Sequence, residues 1–339
     1  MRILVTGGCG FIGSALCRHL VGVLGHHVHN VDKLTYAASP AAVASLATTS
    51  AYEFSHCSIN ERDRLDEIFD RFRPHAVIHL AAESHVDRSI RDAGAFVETN
   101  VVGTVTLLNA AYDYWARRDA ADAREFRFLH VSTDEVFGSL GRCGYFSEAT
   151  AYAPSSPYAA SKAAADHFVR AWHRTYGLPT LITTSSNNFG PYQFPEKLIP
   201  RLIVRALTQR PLPVYGDGRN VRDWLFVDDH VRALITVLER GTVGKTYTIG
   251  ARNERTNLEV VTRICAVLDE CMPSAAPHGR LIAHVDDRLG HDRRYASDPT
   301  RIEDDLGWRP ATDFETALRR TVRWYLENET WWAGLSQSD

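Results

Sequence analysis

One short segment near the start of the chain restricts the possible folds more than any other. Ile3-Leu4-Val5 is an apolar run with strand character. It passes directly into Gly7-Gly8-Cys9-Gly10-Phe11-Ile12-Gly13 and then into a helix-like stretch through Leu20. Gly8, Gly10 and Gly13 satisfy the spacing G-x-G-x-x-G. Glycines at these points permit a tight turn, let backbone approach a pyrophosphate, and let the helix pack on the strand. The helix N-terminus then faces the anion. A second strand, Val28-His29-Asn30-Val31, ends in Asp32, 19 residues past Gly13. An acid at that distance accepts hydrogen bonds from adenosine ribose hydroxyls and repels a 2′-phosphate. The pattern therefore predicts NAD rather than NADP.

The alternation continues. Ala76-Val77-Ile78-His79-Leu80 reads as a third buried strand, 100–115 as a helix, and Phe126–Val131 as a further strand. Near-continuous apolar strands separated by helices predict a parallel sheet covered on both faces, with ligands beyond the carboxyl ends of the strands. Ser132-Thr133-Asp134-Glu135 sits at such an end. Some 25 residues on, Ser156 and Pro157 read as the N-cap and first position of a helix that closes at Gly177. Tyr158 and Lys162 share one face of it. An ammonium there favours tyrosinate, and a Tyr poised nearer neutrality can take an alcohol proton while hydride leaves the same carbon. Asp134 and Glu135 exceed what a simple dehydrogenase needs. They point to a second proton-coupled reaction on the same substrate.

Composition closes off other classes. The 339 residues are 45% hydrophobic and 23% charged with net charge -3, which is ordinary globular composition and offers nothing to nucleic acid or an anionic membrane. The first apolar run is too short for a signal peptide, and no stretch approaches a membrane span. Cys9, Cys17, Cys57, Cys143, Cys265 and Cys271 form no close pair and have no zinc spacing, so no metal is expected and a reducing cytoplasm is.

Longer motifs carry a resemblance. AAESHVDRSI (81–90), Ser132 to Gly138, Ser155 to Lys162, SNNFGPYQFPEKLIP (186–200), Arg222 to Leu225, Tyr247 to Gly250 and GHDRRY (290–295) resemble an extended short-chain dehydrogenase/reductase. More closely they resemble the dTDP-glucose 4,6-dehydratase family, nearly end to end. The resemblance implies C4 oxidation, water elimination across C5 and C6, and hydride return to C6, with NAD as cofactor and a nucleotide sugar as substrate. Tyr158, with Thr133 and Lys162, would deprotonate the C4 hydroxyl. Glu135 would remove the C5 proton, and Asp134 would protonate the departing C6 hydroxyl. NAD contacts are implied for Gly7, Gly10, Phe11, Ile12, Gly13, Asp32, Lys33 and Thr35. Further ones fall on Ser58, Ile59, Ala81, Ala82, Ser84, Thr99, Tyr158, Lys162 and Asn187. Substrate contacts are implied for Ser84, His85, Asp87, Thr133, Asn187, Lys197 and Leu198. The remainder are Pro213, Tyr215, Arg222, Asn257, Arg288, His291 and Tyr295.

The expected fold is α/β: a Rossmann-type doubly wound parallel sheet with a smaller α/β C-terminal substrate lobe. Prolines cluster after Asn187, where the lobe begins. Helix 227–239 and strand 246–249 rejoin the first domain. The NAD-binding domain is thus 1–186 plus about 226–250, and the sugar lobe 187–225 plus about 251–339. Residues 314–332 read as one amphipathic helix. A homodimer packed through helices near 100–116 and 158–176 is also implied. Departures from the family pattern are Ser58 where Asp is common, Ala38-Ser39 for Gly-Asn, Phe189 for Tyr and Leu289 for Pro. The competing readings are a UDP-sugar 4,6-dehydratase, a 4-epimerase of the same fold, and a non-catalytic dinucleotide-binding regulator.

Overall fold

The computed structural model describes residues 1–273, 276–287 and 290–335. Its strands, in chain order, are β1 (Arg2–Thr6), β2 (His27–Asp32), β3 (Tyr52–His56), β4 (Ala76–His79), β5 (Arg127–Thr133), β6 (Thr180–Ser185), β7 (Asn187–Phe189), β8 (Leu212–Tyr215), β9 (Val221–Phe226), β10 (Thr246–Ile249), β11 (Glu254–Thr256) and β12 (Ile282–Val285). Seven form one sheet in the order β10-β6-β5-β4-β1-β2-β3, every pair parallel.

Strand alternation feeds both faces. Ile3, Val5, Ile78 and Leu181 join a core with Leu16, Leu20 and Leu234. Their neighbours Leu4, Val77 and Ile182 join a second core with Phe69, Leu107 and Val169. This is the Rossmann-type doubly wound sheet that the apolar strands predict. The strand order reverses at β1, between β2 and β4, and the carboxyl ends part there to leave a crevice.

After β6 the chain leaves the sheet. β7 and β11 flank β9, and β12 pairs with β8. The helix Val227–Arg240 and β10 then return, Thr246 to Ile249 pairing with Ile182 to Ser185.

Two helices differ from expectation. The stretch read as a helix from 100 opens instead with a wide π-type turn, Val97–Gly103, before the α-helix Thr104–Ala116. The wide turn lets the buried Asn100 side chain clamp Glu83, accepting from its amide at 2.8 Å and donating to its carbonyl at 2.9 Å, and also bond Ser161 at 2.8 Å. The tail is two helices, Phe314–Glu327 and Glu329–Ala333. Asn328 breaks them by donating its side chain to Trp324 O at 2.8 Å. The bend folds the Trp332 indole back onto Tyr325 O at 2.7 Å.

Candidate active site

A cavity of about 350 Å³ lies over the carboxyl ends of β1, β2, β4 and β5. Its floor demands glycine. Gly7 has φ +75°, and a Cβ there would meet Ala81 N at 2.7 Å. At Gly13 a Cβ would sit 2.1 Å from Gly7 O. Gly10 is the N-cap of the helix Phe11–Gly22 and contributes no capping side chain, so the first turn is left to bind an anion. Asp32 closes β2. Its Oδ2 accepts from Cys9 N at 2.9 Å and its Oδ1 from Leu34 N at 2.8 Å. Each oxygen keeps a lone pair for a ribose hydroxyl. Burial raises the Asp32 pKa, and the two amide bonds oppose the rise. Lys33 donates to Thr99 Oγ1 at 2.8 Å and pairs with Glu83 at 3.1 Å, tying the end of β2 to the π-type turn. Glycine cradle, helix start and buried acid together fit a dinucleotide.

Gly7, Gly10 to Gly13, Asp32, Lys33, Thr35, Ile59, Ala81, Ala82, Ser84, Thr99, Tyr158, Lys162 and Asn187 all line this cavity. Ser58 does not. Its hydroxyl accepts from Asn60 N at 3.2 Å and its amide donates to Glu61 at 2.6 Å, so it shapes the turn before the helix Arg62–Phe72. Cys57 and Ile59 form the wall beside it.

Thr133 ends β5, and its Oγ1 accepts from Glu135 N at 3.2 Å. Asp134 and Glu135 open a 3-10 turn whose Val136 and Phe137 pack with Phe146, Ala163 and Tyr295. That packing anchors two adjacent acids in different surroundings. Asp134 is 1% exposed and accepts from Ser297 Oγ at 3.4 Å. Burial first, then Glu135 and Asp223, push its pKa well above the ordinary value against Arg222 and Ser297, which favours the neutral acid. Glu135 lines this cavity and a second one.

Tyr158 occupies the first turn of the helix Pro157–Tyr176, capped by Ser156 Oγ accepting from Ala159 N at 3.1 Å. The expectation that Lys162 lowers the Tyr158 pKa is corrected here. Burial and then Glu135 raise it, while a hydrogen bond with Thr133 lowers it. Lys162 is directed at β5, donating to Val131 O at 2.8 Å and lying 3.4 Å from His130 Nε2. Burial lowers the Lys162 pKa to about 8.

The second cavity, about 170 Å³, is lined by His85, Asp87, Lys197, Leu198, Pro213, Tyr215, Arg222, Asn257 and His291. It shares Glu135, Asn187, Lys197, Leu198, Glu196 and Trp224 with the first, so the two spaces adjoin. Arg222 is buried and braced, donating to Val221 O at 2.7 Å and Asp292 O at 2.9 Å over the Tyr295 ring at 4.1 Å. Tyr295, expected at the substrate, lines neither cavity; it is buried beneath Arg222, its hydroxyl turned to Asp292. Lys197 donates to Ser84 O at 2.7 Å, and His291 meets Asp287 at 2.6 Å. The side-chain carbonyls of Asn187 and Asn257 are buried and find no donor among the described residues, leaving them as acceptors for a ligand. Arg288 lies outside the described residues, as does Leu289.

Sequence reading missed Glu196 and Trp224. Glu196 faces Tyr36 OH at 3.2 Å and His85 Nε2 at 3.5 Å across the cavity mouth. Trp224 follows Arg222 by two on β9, so strand alternation places both on one face. That spacing was a usable signal. Glu196 had only its position beside Lys197. Among the described residues no group of three or more His, Cys, Asp or Glu side chains has a metal-holding arrangement.

The family model for GDP-mannose 4,6 dehydratase matches residues 4–321. The dTDP-glucose 4,6-dehydratase of Neisseria meningitidis serogroup B is 56% identical over 98% of this chain and 95% of its own length. The crystal structure of DesIV, the dTDP-glucose 4,6-dehydratase of Streptomyces venezuelae, solved with NAD bound, superposes with TM-score 0.90 at 45% identity over 99% of this chain and 100% of that one. The NAD complex of UDP-glucose 4-epimerase from Thermus thermophilus shares the fold with TM-score 0.85 at 27% identity, over 97% of this chain and 100% of that chain. With its dinucleotide cradle, its buried acid pair and these relatives, the chain belongs to the dTDP-glucose 4,6-dehydratase family.

Proposed function

We propose that this protein is an NAD-dependent hydro-lyase that converts dTDP-glucose to the 4-keto-6-deoxy sugar with loss of one water. The observation that carries the reading is the Asp134–Glu135 pair, buried acid beside its neighbour, where the two cavities meet. Gly7, Gly10 to Gly13, Asp32, Thr35 and Thr99 would hold NAD, which would supply a hydride acceptor. Tyr158 takes the C4 hydroxyl proton, with the Thr133 hydroxyl offsetting part of the cost of a buried tyrosinate. Glu135 removes the C5 proton, made acidic by the neighbouring ketone. Asp134 delivers its proton to the departing C6 hydroxyl, the role for which its raised pKa suits it. Arg222 and Lys197 hold the diphosphate, and Asn187 and Asn257 accept from sugar or base.

The cofactor is carried by 1–186 plus about 226–250 and the sugar nucleotide by the remaining lobe. The protein works as a cytoplasmic homodimer. Six unpaired cysteines support the compartment, and exposed Val102, Phe168 and Tyr176 on the helices near 100–116 and 158–176 support the interface. Among the described residues no helix is long and apolar enough to cross a membrane.

A 4-epimerase needs no acid and base at neighbouring carbons, and a regulator needs neither these nor Tyr158. Incubating the protein with dTDP-glucose or UDP-glucose, and following products by mass and NMR, tests the reading. The expected result is loss of one water from dTDP-glucose without added reductant; dTDP-galactose at unchanged mass would place the protein among epimerases. Asp134→Asn should retain C4 oxidation while elimination slows by about 10²–10⁴, and Tyr158→Phe should stop hydride transfer itself.

A further inference from the structure

We propose that Asp166 is a positioning residue of this site, a single buried carboxylate that fixes Ser132 at the end of β5 and keeps the Lys162 ammonium charged. Its consequence for turnover rests on the dehydratase reading; the buried contacts of Asp166 do not.

Tyr158, Lys162, Asp166 and Arg170 recur every fourth residue along the helix Pro157–Tyr176, so the stripe that carries the catalytic pair continues inward. Asp166 is 0% exposed. Its Oδ2 accepts from Ser132 Oγ at 2.9 Å and from Tyr152 OH at 2.7 Å. Its Oδ1 lies 3.2 Å from His130 Nε2, the same nitrogen that lies 3.4 Å from Lys162 Nζ. Ser132 directly precedes Thr133, so the carboxylate grips the strand end from behind. One side chain thus organises both halves of the proton-transfer apparatus, the β5 terminus and the lysine.

The surrounding charges leave Asp166 little competition for Lys162. From β5, His130 is fully buried, with its pKa lowered to about 4 by burial and then by Lys162. From β4, the His79 ring lies tilted against His130, centroids 5.1 Å apart, and burial lowers its pKa well below the usual value. From the loop before the helix, Tyr152 interposes between Asp166 and Arg170, whose guanidinium donates to the phenol at 2.6 Å. Tyr158, Asp134 and Glu135 face the cavity side. Burial works against the Asp166 charge, but His130, Lys162 and Tyr152 outweigh it and hold the carboxyl below its usual range. Burial likewise depresses Lys162, and Asp166 is what opposes it. A buried ammonium deprived of its counter-charge sheds its proton. Without Asp166 the lysine would lose its proton at a lower pH.

The test follows the Lys162 side-chain nitrogen by NMR in ¹⁵N-lysine-labelled protein, assigned by its disappearance in Lys162→Arg, from about pH 6 to about pH 10. Parent, Asp166→Asn and Asp166→Glu are compared, with kcat/KM for dTDP-glucose measured in the presence of NAD over the same range. Lys162 in the parent should titrate at about 8. In Asp166→Asn the titration should fall by about one unit or more, and the alkaline limb of kcat/KM should move with it, roughly tenfold lower than the parent at about pH 8. Asp166→Glu, which keeps the charge, should keep the parent's titration. Coincident titrations in parent and Asp166→Asn overturn the proposal, as does a kcat/KM profile lowered by one factor at every pH, the mark of a merely structural role. Should Asp166→Asn not fold, a downward displacement in Asp166→Glu overturns it equally. A parent whose Lys162 responds as stated but which releases no water from dTDP-glucose refutes the dehydratase reading and leaves the coupling standing.

Discussion

Both adjacent acids line the first cavity, but they differ in burial and in what surrounds them. Asp134 descends among Ser297, Asp223 and Arg222, whereas Glu135 opens on both binding spaces. The linkage sign follows from the raised Asp134 pKa. The unfolded carboxyl titrates at about 4, so the folded state is favoured while Asp134 is protonated and loses stability as pH rises through the elevated value. Asp134→Asn removes that dependence. Its melting temperature relative to the parent should therefore climb between about pH 5 and about pH 8, on the order of 2 °C. A constant difference across that range would show that Asp134 is ionised in the native protein. Ser58 is a second residue-scale case. Its hydroxyl accepts from Asn60 N while Cys57 and Ile59 form the cavity wall. A carboxylate there is a stronger acceptor for adenine, worth about 1 kcal/mol or roughly fivefold in affinity. Ser58→Asp should raise NAD occupancy after dialysis and reduce stimulation by added NAD; a parent already saturated after dialysis sinks the idea.

At the scale of elements, the helix Pro157–Tyr176 sets the chemistry by where it starts. Ser156 supplies the cap, Pro157 the first position, and Tyr158 stands in the first turn, where fraying would be felt most. Ser156→Ala should cost about 1 kcal/mol, read as a lower urea midpoint with an unchanged slope, and Ser156→Asp should recover it. Equal midpoints for parent and Ser156→Ala would mean that the Ala159 amide finds another acceptor. The tail helices brace the glycine loop from the far end of the chain. The Trp331 indole donates to Ser39 Oγ at 3.0 Å, and Ser39 N donates to Cys9 O at 2.8 Å. The Ala38-Ser39 departure is thereby stitched to the glycine loop. Phe189 packs edge-on against Trp224 and Phe226 and 5.4 Å from Phe314, a wholly apolar setting that offers a tyrosine hydroxyl little.

For the molecule as a whole, the helices Thr104–Ala116 and Pro157–Tyr176 pack on the same face of the sheet, with Phe168 and Tyr176 exposed on the second and Val102 on the π-type turn that opens the first. Apolar side chains grouped on adjoining helices are suited to a second copy. If the proposed homodimer uses this face, Phe168→Glu should run as a monomer by light scattering where the parent runs as a dimer, with secondary structure unchanged. A parent that is monomeric at micromolar concentration would remove the basis for that interface.

How much was legible depended on the range of the physics involved. Strand and helix identity, the glycine loop, Asp32 and the strand-end acids follow from local rules: side-chain periodicity, the φ freedom of glycine, and capping. These can be read residue by residue along the chain. The Asn100 clamp in the wide turn at Val97–Gly103 and the burial of Tyr295 beneath Arg222 depend on partners far away in sequence. So does protonation. The spacing of Tyr158 and Lys162 shows that they share a helix face, but only the packed structure shows Lys162 turned to Val131 and His130, with burial and Glu135 governing Tyr158. Sequence determines which groups are present and which share a face. Desolvation, which decides the charge they carry, is a sum over everything that folds around them, and only the tertiary structure supplies it.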